Sequence, residues 1–283
     1  DLHSFPTRRS SDLDLGTVFS WGLGNNGRLG HGDENSVEKP KRIEYFNNNS
    51  IKIKQISCGD LHCACISTSK ELYTFGNGNY GKLGHCNFDH VLTPSKVGFF
   101  SMQKVENVAC GSYNTVAVTT DAKVYAWGKN SHGMLGVPHQ QEQNILVPSE
   151  VQYQKDNPDL VVSEIAIGSM HQLLLCTNGT LFSCGNSVNG ILGIEDVFDK
   201  VTSPKMIIND KPFYMTTHTD IMLDNSIFKD YTPYFSLETK DIKNNSISTA
   251  IVFTSGSNYN SAFITNDGEL YMSGEPSLIP KEN

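Results

Sequence analysis

Four copies of one glycine-rich phrase run through this 283-residue chain at nearly constant spacing. Each copy has a short strand-like segment, a glycine, four variable residues, a second glycine, one residue and then Leu-Gly. The copies are VFSWGLGNNGRLG (18–30), LYTFGNGNYGKLG (72–84), VYAWGKNSHGMLG (124–136) and LFSCGNSVNGILG (181–193). Their first glycines are separated by 54, 52 and 57 residues. Repeats of this length are typical of propellers, solenoids and repeat arrays.

A second phrase recurs between the copies of the first. Its copies are ISCGDLHCACIST (56–68), VACGSYNTVAVTT (108–120), IAIGSMHQLLLCT (165–177) and FTSGSNYNSAFIT (253–265). A third mark is a proline followed closely by an aliphatic residue, at Pro40, Pro94, Pro148 and Pro204. Because the three marks keep one order, they predict a continuous array of equivalent units.

Each unit is predicted to contain about four short strands. The segments VFSW and VYAW mix aromatic, β-branched and small residues, as half-buried strands do. Residues 51–56, IKIKQI, are interpreted as a strand of period two, and residues 115–120 form a short apolar run between turn residues. No stretch shows a sustained helical period. We therefore expect an all-β chain with the radially repeated sheets of a β-propeller, since a β-solenoid would need shorter repeats.

The repeat marks divide the chain into units. These are 16–68, 69–121, 122–179 and 180–266, followed by a partial unit at 267–283. The fourth unit is the longest, and its excess is assigned to an insertion at 209–246 that mixes polar and aromatic residues. Long insertions either carry function or are permissive surface loops, and this one could also be a degenerated blade.

The first residues, DLHSFPTRRSSDL (1–13), match no part of the repeat. They resemble the conceptual translation of a sequencing adapter and lack the apolar core of a secretory signal. We interpret 1–13 as a non-native leader and 14–283 as a partial propeller. The alternatives are a basic tail or a phosphorylatable Arg-Arg-Ser-Ser site.

The glycine phrase is a turn signature rather than a nucleotide-binding loop. Its first two copies contain a literal GxGxxG, but the first is followed by RLGHGDENSVEKP, whose glycines and proline cannot open a helix. A dinucleotide fingerprint needs that helix. We therefore predict no cofactor and assign turn roles to the glycines that every copy shares, namely Gly22, Gly27, Gly30, Gly76, Gly81, Gly84, Gly128, Gly133, Gly136, Gly185, Gly190 and Gly193.

Together the marks resemble the repeat of the regulator of chromosome condensation family. That repeat has an aromatic-Trp-Gly strand, a Gly-x-Leu-Gly turn, a proline and Gly-x-x-His. The full set occurs at Trp21-Gly22, 27–30, Pro40, and Gly59 with His62. Other copies depart, with Phe75 and Cys184 in place of Trp and with Asn114 and Tyr259 in place of His. The resemblance covers about residues 16–274.

The resemblance implies a propeller of seven blades. Four units and the start of a fifth are present, so the expected fold is an incomplete propeller with about four of seven blades, a fragment of a longer protein. The family includes guanine-nucleotide exchange factors for Ran-like GTPases. It also includes propellers without exchange activity, some attached to ubiquitin-ligase or kinase domains.

Composition narrows the class of protein further. The formal net charge is −8, which gives no overall attraction to nucleic acid, although a local basic face is possible. The odd number of cysteines, seven, without a repeated pair spacing indicates a reducing compartment, cytosol or nucleus. No run of apolar residues is long enough for a membrane span. No C-x-x-C with paired ligands supports a metal site.

The residues around the second-phrase glycine are the candidate partner-binding set. In a propeller they recur around one rim near the axis, either as structural hydrogen-bonding residues or as a binding surface built from several blades. The set comprises Asp60, His62, Tyr113, Asn114, Met170, His171, Asn258 and Tyr259.

Three functions are compatible with these observations. A protein-interaction propeller is preferred, and regulation of a small GTPase is one form of it. The first alternative is an exchange factor for a Ran-like GTPase with chromatin association, although the only Arg pair lies in the suspected leader. The second is a propeller enzyme, for which no catalytic constellation is evident.

Overall fold

The computed structural model describes residues 16–137, 144–153, 159–187, 191–194, 200–208, 247–251, 260–265 and 270–274. The elements in these ranges are almost all strands. The chain divides into two compact units. Unit 1 comprises Asp1–Asn130 with Gln143–Glu150, and unit 2 comprises Ser131–Glu142 with Val151–Asn283.

Unit 1 contains an antiparallel pair and two four-stranded antiparallel sheets, ordered β1-β2, β3-β4-β5-β6 and β7-β8-β9-β10. One short helix, α1 (Glu44–Asn48), follows the first pair. The strands are β1 (Phe19–Gly22), β2 (Val37–Arg42), β3 (Ile53–Cys58), β4 (His62–Ser67), β5 (Leu72–Gly76), β6 (Val91–Lys96), β7 (Val105–Cys110), β8 (Asn114–Thr119), β9 (Val124–Gly128) and β10 (Ile145–Glu150).

Unit 2 contains a four-stranded sheet, β11-β12-β13-β14, and a three-stranded sheet, β15-β16-β17. Both are antiparallel. The strands are β11 (Val162–Ile167), β12 (His171–Cys176), β13 (Leu181–Asn186), β14 (Lys200–Ile208), β15 (Ile247–Ile251), β16 (Asn260–Thr265) and β17 (Leu270–Gly274). The predicted leader and insertion lie outside the described residues.

Up-and-down sheets of four strands are the blades of a β-propeller, and the all-β prediction is confirmed. Each blade combines two sequence repeats. The boundary at 68/69 falls between β4 and β5, so β3 and β4 come from one repeat and β5 and β6 from the next. A repeat therefore links one blade to the following blade.

Burial follows strand position within a blade. Every residue of the two middle strands β8 and β9 is buried. The outer strand β2 is mostly exposed and has the sequence VEKPKR. Lysine and proline on an edge strand oppose pairing with another chain, since proline offers no amide donor.

The alternation predicted for residues 51–56 holds only in part. Strand β3 begins at Ile53, and its register with β4 shifts between Ile53 and Gln55. A bulge adds one residue and reverses which face the following side chains occupy. It places Ile53 and Ile56 opposite Ser67 and Cys65, two residues apart on β4, and therefore on the same face. Of the two, Ile53 is 2% exposed and Ile56 is 38% exposed.

The last glycine of each phrase forms the contact with the next blade. In unit 1 a Cβ on Gly84 would lie 2.9 Å from Nε1 of Trp127, and one on Gly30 would lie 2.9 Å from the Phe75 ring. Trp127 is fully buried, and its Nε1–H donates to the Lys82 carbonyl oxygen at 2.9 Å. The aromatic residue of each strand therefore anchors the preceding phrase.

Unit 2 makes the same contact without an aromatic ring. Cys184 lies against Gly136, where its Sγ would be 2.9 Å from an added Cβ. Gln172 on the neighbouring strand donates from Nε2 to the Leu135 carbonyl oxygen at 3.1 Å. Cys184 replaces the Trp127 donor, with Sγ 3.9 Å from the Met134 carbonyl oxygen, which corresponds to that of Lys82. Gln172 occupies the strand position of Thr115.

Candidate interaction surface

The first glycine of the phrase holds the hairpin loop of its blade. Gly128 has φ of +111°, and a Cβ there would lie 2.5 Å from the Tyr113 carbonyl oxygen. The next amide, of Lys129, donates to that oxygen at 3.0 Å. A side chain at this glycine would push the loop away. The same arrangement holds Leu61 against Gly76 and Asn77, and Met170 against Gly185 and Asn186.

His62 is a structural residue inside unit 1. It has no exposed surface, and its Nε2 lies 2.8 Å from the Thr115 hydroxyl. That hydroxyl donates to the Lys82 carbonyl oxygen at 2.7 Å, so it must accept from Nε2–H of a neutral imidazole. Burial, with a smaller contribution from the Lys82 charge, lowers the pKa of His62 to about 3.

The Gly-x-x-His spacing has a simple physical origin. The Gly59 amide donates to the His62 carbonyl oxygen at 2.9 Å, and a Cβ on Gly59 would lie 3.0 Å from the imidazole. Gly168 and His171 repeat this arrangement, with the hydrogen bond again at 2.9 Å. Burial lowers the pKa of His171 to about 4.

Three of the eight candidate partner-binding residues therefore lie below the surface. His62, Asn114 and His171 have no exposed area, so their side chains cannot reach a docked partner in this structure. We remove them from the candidate surface. Asp60 is exposed, while Tyr113 and Met170 are half-buried at the hairpin loops. Asn258 and Tyr259 lie outside the described residues.

A cluster of aromatic and charged side chains lies at the loop end of unit 1. The Tyr80 and Tyr113 rings meet edge to face with centroids 5.5 Å apart. The Lys129 Nζ is 4.8 Å from the Tyr113 centroid and 5.3 Å from that of Tyr80, within cation–π range. We call Arg28, Asp60, Tyr80, Tyr113 and Lys129 the aromatic–cation rim.

Arg28 extends the rim to the neighbouring hairpin loop. Its guanidinium donates to the Asp60 carbonyl oxygen at 3.3 Å and to the Asn25 carbonyl oxygen at 3.1 Å. Below the rim, the buried Lys82 ammonium donates to Asn77 Oδ1 and lies 5.9 Å from the Tyr80 centroid. Burial lowers the pKa of Lys82 to about 8, so the ammonium form still predominates at neutral pH.

Tyr80 adopts an unusual backbone conformation, with φ of +65°. The equivalent residue in the first copy is Asn26, with φ of +59°. Asparagine tolerates this left-handed region, whereas a bulky aromatic residue there is uncommon and strained. Backbone strain is found most often at functional sites, and here it accompanies an aromatic side chain placed on the rim.

The opposite end of unit 1 has a different electrostatic character. Five ion pairs lie there, namely Arg42–Glu44, Lys54–Glu106, Lys70–Glu106, Lys96–Glu71 and Lys123–Glu150. Within the described part of the chain, no carboxylate forms an ion pair with Arg28 or Lys129. The two rim cations thus differ from Arg42, Lys54, Lys70, Lys96 and Lys123 of the opposite end, each of which has a carboxylate partner.

Arg28, Tyr80 and Lys129 were not among the predicted partner-binding residues. They occupy variable positions of the glycine phrase, whose four copies were all predicted to be turns. A signal was present: in an antiparallel blade, the phrase and the hairpin loop both leave the same end of the sheet. The variable positions were therefore bound to share a surface with Asp60 and Tyr113.

The sequence predicted neither a metal site nor a membrane span. No group of three or more potential metal ligands occurs among the residues that the structure describes. His31 and His85 instead contact hydroxyls, with Nε2 3.1 Å from Ser20 Oγ and 3.0 Å from Thr74 Oγ1. In the same part of the chain, no helix is long and apolar enough to cross a membrane.

Curated relatives align with about two thirds of this chain. The E3 ubiquitin-protein ligase HERC2 of Homo sapiens is 36% identical over 196 residues, 68% of this chain and 4% of HERC2. The ultraviolet-B receptor UVR8 of Arabidopsis thaliana is 34% identical over 189 residues, 67% of this chain and 41% of UVR8. The chain thus spans less than half the length of either relative.

Solved structures share the fold. Human WBSCR16 is 26% identical with a TM-score of 0.62, over 71% of this chain and 50% of that one. Prp20p of Saccharomyces cerevisiae is 19% identical with a TM-score of 0.63, over 99% of this chain and 74% of that one, which shows the fold alone. The model of the RCC1-like domain matches residues 12–278, nearly the whole chain, and this chain therefore belongs to the RCC1-like domain family.

Proposed function

We propose that this chain is a protein-interaction propeller that docks a partner on the aromatic–cation rim. The observation that carries the proposal is the contrast between the two ends of unit 1. At one end Asp60 is exposed and the arginine, lysine and tyrosine side chains are half-buried, and no ion pair of Arg28 or Lys129 occurs among the described residues. At the other end lie five ion pairs. Tyrosine and arginine are enriched at the energetic centres of protein interfaces.

The scaffold beneath the rim favours binding without prior rearrangement. Tyr113 is fixed through its carbonyl oxygen, which accepts from Lys129, and Lys129 in turn covers both tyrosine rings. Side chains that are already ordered lose little entropy when a partner docks. The mixture of charges suits a folded protein partner better than a nucleic acid, which would need an excess of cations.

A sharper form of the proposal names the partner as a small Ran-like GTPase, in the cytosol or nucleus. The yeast Prp20p, with which this chain shares its fold, binds Gsp1p and histones. Nucleotide exchange needs no covalent chemistry. A partner surface that binds the nucleotide-free GTPase more tightly than the nucleotide-bound form weakens nucleotide affinity by that difference.

Site-specific photo-crosslinking tests the docking face. A photo-reactive phenylalanine derivative would replace Tyr113 in the full-length natural protein, and a matched protein would carry it at Lys123 on the opposite end. Both proteins would be irradiated in extract of the source cells. We expect a discrete adduct that depends on the Tyr113 position and is absent or much weaker for Lys123. Adducts that form only from the Lys123 position would overturn the proposed face.

A nucleotide-release assay tests the GTPase form separately. Purified Ran-like GTPase loaded with a fluorescent GDP analogue would be mixed with the full-length protein. Faster release that is lost in a Tyr113→Ala protein supports exchange at the rim. Unchanged release eliminates exchange but leaves the docking face to be decided by the crosslinks.

A further inference from the structure

The hairpin that carries Asp60 has two thiols at its base. Cys58 ends β3 and Cys63 lies near the start of β4, and the two residues are direct cross-strand partners. Their sulfur atoms are 3.3 Å apart, and both residues are free thiols. Directly opposed residues have Cα atoms about 4.5–5.5 Å apart, within the range of about 4.4–6.8 Å that a disulfide spans. Bond formation therefore needs a movement of the two sulfur atoms rather than of the strands.

The two thiols differ in acidity. The Cys63 thiol donates a hydrogen bond to Cys58 Sγ, which lowers the pKa of Cys58 although burial opposes this. The same hydrogen bond, together with burial, raises the pKa of Cys63. Thiolate is the nucleophile in thiol oxidation, so Cys58 is placed to react first and Cys63 to close the bond. Both side chains are half-buried, unlike Cys65 and Cys110, which are buried.

The next blade provides an internal comparison. Cys110 occupies the same position on β7 as Cys58 does on β3, but its cross-strand partner is Thr115. The threonine hydroxyl donates to the Lys82 carbonyl oxygen, just as Cys63 Sγ lies 3.5 Å from the Arg28 carbonyl oxygen. A thiol at position 63 thus keeps the structural hydrogen bond and adds a reactive partner for Cys58.

We propose that Cys58 and Cys63 form a reversible intrachain disulfide that alters the aromatic–cation rim. With hydrogen peroxide, the Cys58 thiolate attacks one oxygen, giving a sulfenic acid and releasing water after proton transfer. The Cys63 sulfur then attacks the sulfenic sulfur, the S–O bond breaks and a second water leaves. Two thiols and one peroxide thus become one disulfide and two waters. Two molecules of a reducing thiol such as glutathione reverse the reaction and become glutathione disulfide.

Closure of the disulfide changes the rim through Arg28. The Cys63 S–H group, whose one hydrogen is shared between Cys58 Sγ and the Arg28 carbonyl oxygen, disappears, so the carbonyl oxygen loses its part of that hydrogen bond. The Arg28 guanidinium contacts Asp60, which lies inside the loop that the disulfide closes. Oxidation therefore tightens residues 59–62 and loosens residues 25–30. Regulation of a partner by this oxidation rests on the proposed function, whereas formation of the disulfide does not.

Peptide mapping tests the disulfide. The full-length protein would be treated with hydrogen peroxide or glutathione disulfide, and then cleaved before aspartate under non-reducing conditions. Cleavage before Asp60 separates Cys58 from Cys63, so we expect peptides 33–59 and 60–88 to remain linked until a reductant is added. Cys63→Ser should abolish the link, while Cys110→Ser and Cys86→Ser should keep it. Absence of the link after both oxidants, or its persistence in Cys63→Ser, would overturn the proposal.

Amide hydrogen exchange tests the effect on the rim without any partner. We expect oxidised protein to exchange more slowly at 59–62 and faster at 25–30 than reduced protein, and Cys58→Ser to show neither change. Equal exchange in the two redox states would refute the coupling to the rim. Because neither measurement uses a partner, a failure of the photo-crosslinking experiment and a failure of the disulfide are distinguishable.

Discussion

The hydrogen bonds to the Lys82 carbonyl oxygen test how one blade holds the glycine phrase of the preceding blade. Two side chains donate to it, Trp127 from Nε1 at 2.9 Å and Thr115 from Oγ1 at 2.7 Å. Trp127→Phe removes one donor and part of a ring that has no exposed area. We expect a loss of about 2 kcal/mol in unfolding free energy, about 1 kcal/mol from the hydrogen bond and the rest from packing.

The double variant shows whether the two donors share one acceptor. Thr115→Val alone leaves the carbonyl with the Trp127 donor, and the single variants each leave it satisfied. In the double variant the buried carbonyl has neither donor. An unsatisfied buried group costs about 1–3 kcal/mol, so the combined loss should exceed the sum of the single losses by at least about 1 kcal/mol.

Urea unfolding followed by far-ultraviolet circular dichroism measures these free energies without relying on tryptophan fluorescence. The preceding blade offers a matched control. There Cys63 and Phe75 are the equivalent cross-strand pair, and Phe75 has no donor for the Arg28 carbonyl oxygen. The cycle of Cys63→Ala and Phe75→Leu should be closer to additive. Additivity within about 0.5 kcal/mol in the Trp127 cycle would refute the shared-acceptor reasoning.

Three further outcomes are expected. Gly128→Ala should lower the free energy of unfolding by about 2 kcal/mol or more, because the residue has positive φ and its added Cβ would clash with Tyr113. Gly98→Ala is the control, since no atom lies within 4 Å of its added Cβ. Its free energy of unfolding in urea titrations should change by less than about 0.5 kcal/mol. Tyr80→Asn should change stability by less than about 1 kcal/mol, since relief of backbone strain offsets the lost ring contact, and a larger loss would contradict the strain. The pKa of His62 is depressed on folding, so its stabilising contribution is complete above about pH 6.5 and is lost as the pH falls toward 3. His62→Asn should flatten that part of the stability profile, and an unchanged slope in urea titrations at several pH values would contradict buried neutral His62.

The repeated marks were enough to predict the architecture. Strand-forming segments, turn glycines and prolines recur in order, and each depends on local chemistry that a sequence displays directly. The bulge in β3 was not predicted, because a register shift is set by pairing with β4 and not by residues 51–56 alone. The hydrogen bond from Gln172 to the Leu135 carbonyl oxygen was hidden for a similar reason, since it joins two residues that are 37 positions apart in sequence.

The candidate surface was predicted only in part. Its hairpin residues Asp60 and Tyr113 follow from the second phrase, but the same phrase also supplied His62, which is buried. Polarity alone does not distinguish a buried hydrogen-bonding histidine from an exposed one. Tyr80 joins Tyr113 only because two blades pack side by side, a contact between residues of different repeats.

The affinity of the partner for two single variants tests the central claim most directly. The partner recovered by photo-crosslinking would be purified, and its dissociation constant would be measured for Tyr113→Ala and for Lys123→Ala, which lies at the opposite end in an ion pair with Glu150. A rim that docks the partner predicts a loss of at least about tenfold for Tyr113→Ala and less than about twofold for Lys123→Ala. Full affinity in Tyr113→Ala, with a large loss in Lys123→Ala, would contradict it.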